Sequence, residues 1–126
     1  MPSAGVRQRI FFDGGCRPNP GRIETAVVAN GVARVNADAG HGDHHDAEWL
    51  ALIAAANLAR ELGATDVEFV GDSAFVIGQA SGAATARGAH FADYRDVIAG
   101  LASVRVRRVL RAKNLAGIAL AARHPR

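Results

Sequence analysis

Three acidic residues stand where a carboxylate needs a reason: Asp13, Glu48 and Asp72. Asp13 ends the apolar run Ile10-Phe11-Phe12 and leads straight into the glycine- and proline-rich turn Gly14-Gly15-Cys16-Arg17-Pro18-Asn19-Pro20-Gly21. Asp often opens a turn by bonding its own backbone two residues on, and that role alone would account for it. Glu48 is harder to dismiss. On a helix at about 100° per residue, Leu52, Ala55, Ala59 and Leu62 all fall within about 40° of it, while Asn57, Arg60 and Glu61 lie on the far side. A glutamate inside that inward stripe is expensive to desolvate unless paired or bound to a cation, although any acid in a first turn also complements the helix dipole. Asp72 follows the apolar stretch Val67 to Gly71 and begins a helical one, where Asp is a favoured N-cap. The carboxyl end of a strand is also where α/β folds place their sites.

Clustered carboxylates with no cysteine or histidine between them suit hard cations such as Mg²⁺ or Mn²⁺. Two such ions about 4 Å apart activate a water and stabilise the leaving oxygen of a phosphodiester, so metal-dependent phosphoryl hydrolysis is the implied reaction. The stretch His41-Gly42-Asp43-His44-His45-Asp46 does not read as a transition-metal site, because His44 and His45 are neighbours beside a helix start and no matching ligand pair occurs elsewhere. These read as polar loop residues facing a substrate.

The elements that must position the acids follow from pattern. Arg7 to Phe12 reads as a buried strand, and Glu24 to Ala29 and Val32 to Ala37 flank Asn30-Gly31, a strong hairpin signal. Ala47 to Leu62 is helical and stops at Gly63. Val67 to Gly71 is a short strand, and a second helix runs from Asp72 to about Ala80. Ser81 to Gly88 is a small-residue connection. A third helix, from Ala89 to about Ala102, carries Phe91, Tyr94, Ile98 and Leu101 on one face, where core packing is the plain reading. Val104 to Leu110 is a fifth strand and Leu115 to Arg123 a final helix. Hairpins first and helix-separated strands afterwards predict an α/β fold: a five-stranded mixed sheet with helices on both faces. If the first and fourth strands are parallel neighbours, Asp13 and Asp72 emerge at one sheet edge, within reach of Glu48 from the first helix.

At 126 residues the chain suits one domain, residues 1–126. With no run near the roughly 18 apolar residues of a membrane span, no membrane association is expected. The start of the chain lacks the apolar core of a secretory signal, and a lone cysteine fits a reducing compartment, so the expectation is a cytoplasmic monomer in which Cys16 fills space. The 15 basic residues, all but one arginine, outnumber 12 acids, and no acid follows Asp96, whereas Arg105, Arg107, Arg108, Arg111, Lys113, Arg123 and Arg126 do. A purely cationic tail favours nucleic acid as partner, against the plainer reading of a solvated charged face.

Taken together, the motifs resemble the small, type 1 ribonuclease H family over nearly the whole chain. Asp-Gly-Gly-Cys-Arg-Pro-Asn-Pro-Gly at 13–21 is similar to that family's strand-one motif. Ala47-Glu48 followed by Leu50, Ala51 and Leu52 resembles its first-helix motif, and Val70-Gly71-Asp72-Ser73 continuing to Gln79 and Gly82 resembles its third. The resemblance implies that Asp13, Glu48 and Asp72 ligate two metal ions, with Asp13 shared, and that the RNA strand of an RNA/DNA hybrid is cut to leave a 3′-hydroxyl and a 5′-phosphate. It places Gly14, Gly15, Cys16, Asn19, Ser73 and Asn114 near substrate, and puts His44 and His45 where the family carries two asparagines. One departure stands out. Asn114-Leu115-Ala116-Gly117-Ile118-Ala119-Leu120-Ala121 keeps the family's Asn and Leu-Ala frame but has Ile118 in place of the fourth acid. Two expectations follow: a hydrolase whose activity is reduced, with water or substrate phosphate at the vacated coordination position, or a weak or inactive protein that binds hybrid or other nucleic acid. The three retained acids favour the enzyme.

Overall fold

The computed structural model of the protein describes residues 7–85 and 87–124. The secretory-signal reading of the first residues, Ala86 of the small-residue connection and Arg126 of the cationic tail therefore lie outside the described residues. Five strands, β1 (Arg7–Arg17), β2 (Gly21–Ala29), β3 (Val32–Gly42), β4 (Asp66–Gly71) and β5 (Ser103–Arg108), form one sheet in the order β3-β2-β1-β4-β5. Pairing is antiparallel from β1 through β3 and parallel from β1 through β5. The β2–β3 hairpin turns on Asn30 and Gly31, both at positive φ (54° and 76°), which matches the right-handed strand twist. The β1–β4 pair, being parallel, needs a crossover, and α1 (His44–Glu61) supplies it.

Strand periodicity decides which face each side chain serves. Ile10 and Phe12 of β1 and Val67 and Phe69 of β4 point toward α1, joining Trp49, Leu52, Ala55 and Ala59 in the main core. Val76 and Ile77 of α2 (Ala74–Ala80) and Tyr94 of α3 (Ala89–Ile98) complete that layer. On the opposite face Ala26 and Val28 of β2 pack on Ala116 and Leu120 of α4 (Leu115–Ala122), with Phe11 alongside. The mixed sheet with helices on both faces is as expected from the sequence.

Several boundaries differ, each for an identifiable reason. β1 does not stop at Phe12 but runs through Asp13 to Arg17, because Gly14, Gly15, Cys16 and Arg17 keep pairing with β2. β2 and β3 are longer than their apolar cores by the same pairing, which reaches Gly21↔Gly42. The His41–Asp46 segment is not a loop. His41 and Gly42 end β3, and Asp43 caps α1 through a reciprocal capping box with Asp46. The box pulls the helix start forward to His44. Asp72 does not cap α2; Ser73 does, its hydroxyl accepting from the Val76 N–H. α3 ends at Ile98 rather than Ala102, and β5 occupies 103–108 rather than 104–110, in register with β4 from Asp66 to Gly71. Leu62, assigned to the buried stripe of α1, is the C-cap residue and is exposed.

Candidate active site

Parallel pairing of β1 with β4 ends at Phe11↔Val70, so β1 continues two residues past its neighbour before Asp13 appears. That unpaired edge is the gap into which the other acids reach. Asp72 arrives just past the end of β4, and Glu48 arrives from the first turn of α1. One oxygen from each of Asp13, Glu48 and Asp72 can be chosen so that all three lie within 4.8 Å of one another.

The sequence builds this meeting from small residues. Ala47, Ala51, Ala55 and Ala59 recur every fourth position on α1, and all are fully buried, so the helix axis comes close to the sheet. At the closest point no side chain fits on β1: a Cβ on Gly14 would stand 2.0 Å from the Ala47 carbonyl oxygen. The same approach lets the Gly14 N–H donate to Glu48 Oε1 at 2.9 Å, which aims that carboxylate at Asp13.

Asp72 is held from the other side. Asn114 is fully buried, and its amide donates to the Phe12 carbonyl at 3.0 Å and to Asp72 Oδ2 at 3.0 Å, while its oxygen accepts from the Ala116 N–H at 3.1 Å. Asn114 was expected to contact substrate. Its burial leaves it no surface for that, and it instead ties β1, Asp72 and the start of α4 together. Arg108 Nε donates to the Asp72 backbone carbonyl at 3.3 Å.

Crowding and burial oppose ionisation of the acids. Burial lifts Asp13 to about 6, with the Asp72 charge pushing the same way and Arg111 pulling back. Burial lifts Glu48 to about 8, with the Asp13 charge adding to it and the Gly14 N–H opposing. An all-oxygen donor set of three crowded carboxylates is what a hard divalent cation neutralises, so these residues fit Mg²⁺ or Mn²⁺.

Other residues singled out by sequence lie around this centre. Gly15 has open space where a side chain would stand, and the backbone of Gly14 and Gly15 lines a cleft of about 200 Å³ beside Asp13. Cys16 is buried, and its thiol donates to Asn19 Oδ1 at 3.5 Å and lies 3.8 Å from His44 Nδ1, so it links the turn to the start of α1. The Ser73 hydroxyl is engaged as the α2 cap. His45 is exposed and stacks on Phe75, ring centroids 3.9 Å apart. Ile118 is 53% exposed, whereas its neighbour Gly117 faces the site: a Cβ there would stand 3.5 Å from Asp13 Oδ2. Sequence reasoning missed Phe75, which only its place in the first turn of α2 marks out, and Glu24 and His124, which pair across the same cleft at 2.5 Å from strands and helix ends 100 residues apart. No local pattern links such a pair.

A family model described as reverse transcriptase-like matches residues 12–124, from the strand bearing Asp13 to two residues past α4. The chain belongs to the ribonuclease H family. Ribonuclease HI of Halobacterium salinarum is 36% identical over 88 residues, 66% of this chain and 44% of that protein. This ribonuclease H-family chain thus spans less than half the length of that relative. The crystal structure of RNase H1 from the same archaeon superimposes with a TM-score of 0.80 at 30% identity, covering 90% of this chain and 93% of that one. LC11-RNase H1, solved in complex with RNA/DNA hybrid, superimposes at 0.76 with 23% identity, covering 86% and 88%, and shows the same fold. No helix among the described residues is long and apolar enough to cross a membrane.

Proposed function

We propose that this chain is a metal-dependent endonuclease that hydrolyses the RNA strand of RNA/DNA hybrids, leaving a 3′-hydroxyl and a 5′-phosphate. The observation that carries the reading is the convergence of Asp13, Glu48 and Asp72 within 4.8 Å at the open end of the β1–β4 pair. The named activity of the archaeal relative and the hybrid bound to LC11-RNase H1 support the substrate class. Asp13, Glu48 and Asp72 are the residues that would hold Mg²⁺ or Mn²⁺, which when bound supplies an activated water and neutralises phosphodiester charge.

The chain's own groups do the positioning. The Gly14 N–H orients Glu48 and Asn114 orients Asp72. Arg111 faces the same cleft and offers a cation to a phosphate oxygen. The open backbone of Gly15, beside Gly14 in the cleft wall and with His44 and His45 on the first turn of α1, supplies polar contacts toward a minor groove, where 2′-hydroxyls distinguish RNA from DNA. The reading includes a single domain acting as a monomer in the cytoplasm.

Incubating the protein with end-labelled hybrid in Mg²⁺ and then in Mn²⁺ tests it. Cleavage confined to the RNA strand is expected, and Asp72→Asn should lower the rate by more than about a hundredfold, since even a residue that only orients a ligand is worth about 10- to 100-fold. Hybrid bound but uncut in both metals would overturn the enzymatic reading, and unchanged cleavage by Asp72→Asn would move the site elsewhere.

A further inference from the structure

The face of β1 that carries Asp13 also carries Phe11, Arg9 and Arg7, at the strand's period of two. α4 covers Phe11. Beyond it the β1, β4 and β5 strands present a band of charge: Arg7 and Arg9, Asp66 and Glu68, Arg105 and Arg107. Arg9 and Arg107 both reach Glu68, at 2.9 and 3.6 Å, and Arg7 and Arg105 both reach Asp66, at 4.0 and 3.8 Å. Glu68 is buried beneath its arginines, while each of the four arginine side chains stays 44–51% exposed.

Ion pairing alone does not explain this band. Two acids need two cations, and exposed pairs contribute only about 0–1 kcal/mol each. Here four arginines surround two acids, leaving a net charge of +2 and N–H donors turned to solvent. All four are arginine, whose planar fork matches phosphate oxygens. The band lies on the same face of β1 as Asp13, with Phe11 and the α4 residues that cover it in between. From Asp13 to Arg7 is six residues of strand, about 20 Å, the length of about six nucleotides of a duplex strand.

We propose that this arginine band is a second nucleic-acid contact surface, which grips the phosphate backbone of a duplex outside the stretch held at the carboxylates. It rests on nucleic acid being the substrate class, and it recognises phosphate rather than sugar. The band therefore holds DNA duplex and hybrid alike, and matters only for duplexes long enough to reach it.

The test measures binding of the intact chain to a DNA duplex and a hybrid of about two helical turns, about 20 base pairs, across a salt series. Arg7→Gln with Arg105→Gln should reduce the slope of log K against log salt by about 2, since each lost phosphate contact removes about 0.9. Asp66→Asn should act in the opposite sense and tighten binding, which a purely structural role for these pairs would not produce. Cleavage of a hybrid shorter than one helical turn should be unchanged by either variant. An unchanged slope in the double variant, with hybrid still cut, overturns the band and leaves the nuclease reading standing; the surface then serves an acidic protein or none. An arginine-dependent slope on DNA duplex from a protein that cuts no hybrid supports the band and overturns the nuclease reading.

Discussion

At the scale of the residue, the site depends on what surrounds each acid. Ile118 takes the position where the family resemblance implies a fourth carboxylate, and it is 53% exposed beside Gly117, which lines the same cleft as Asp13. Asp at that position meets solvent without displacing packed atoms, one residue along α4 from Gly117, which lines the cleft with Asp13. Ile118→Asp should therefore raise hybrid cleavage, about tenfold or more on the scale of ligand-shell effects, with little change in melting temperature. Equal or lower activity would show that the site works with three acids by design. Asn114 shows the opposite logic. Removing its amide leaves the Phe12 carbonyl, Asp72 and the Ala116 N–H without their partner, at about 1–3 kcal/mol per buried group. Asn114→Ala should lose about 3 kcal/mol in urea unfolding and about 10- to 100-fold in cleavage rate. An active, fully stable variant would remove the positioning role. Asn114 was visible in the sequence as part of a motif, but its direction was not. Whether an Asn faces substrate or core depends on the helix that closes over it.

At the scale of the element, α1 and β1 are fitted to one another. The alanines at 47, 51, 55 and 59 are readable as a helix stripe, but the closeness they permit appears only when Gly14 is found beneath the Ala47 carbonyl. Gly14→Ala should push the start of α1 off the strand and move Glu48 from Asp13. A loss of about 1–3 kcal/mol, the usual cost of overpacking, should accompany a fall in metal-dependent cleavage, read by thermal unfolding and by the hybrid assay on the same preparation. Unaltered stability would mean that the backbone yields more readily than the packing implies. The same element explains why the sequence misplaced the start of α1. Periodicity begins at Ala47, whereas the Asp43–Asp46 capping box starts the backbone helix one turn earlier. Strand ends shifted for a related reason: apolar pattern marks where a strand is buried, and pairing carries β1 five residues further, through Gly14 and Gly15 to Arg17.

At the scale of the molecule, folding forces three carboxylates together, and pH reports the strain. Asp13 at about 6 and Glu48 at about 8 both lie above the values of an unfolded chain, so between about pH 4 and 8 the folded protein binds more protons than the unfolded one. Stability from these groups is present below the ordinary carboxylate range and lost as pH rises through 6 and then 8. Urea unfolding in chelator should show this decline, and Glu48→Gln should flatten it. Mg²⁺ or Mn²⁺ should restore stability most at the alkaline end, where the ligands are ionised. A flat profile in chelator for the unmodified chain would contradict the assigned burial. Glu24 and Asp46, held low by their partners, act in the opposite direction and lose their contribution only as pH falls below the carboxylate range.

The sequence by itself determined the order of elements, the mixed sheet and the identity of three candidate ligands, because alternation, helical period and the Asn30-Gly31 turn are local and each acid sits at a recognisable break in pattern. Only the tertiary structure decided that Asn114 supports Asp72 instead of meeting substrate, that β4 stops short and leaves Asp13 an open edge, and that Glu68 lies beneath arginines from two other strands. Those outcomes depend on which strands become neighbours and in what register. They are set by the packing of segments up to 102 residues apart, which no window of sequence contains.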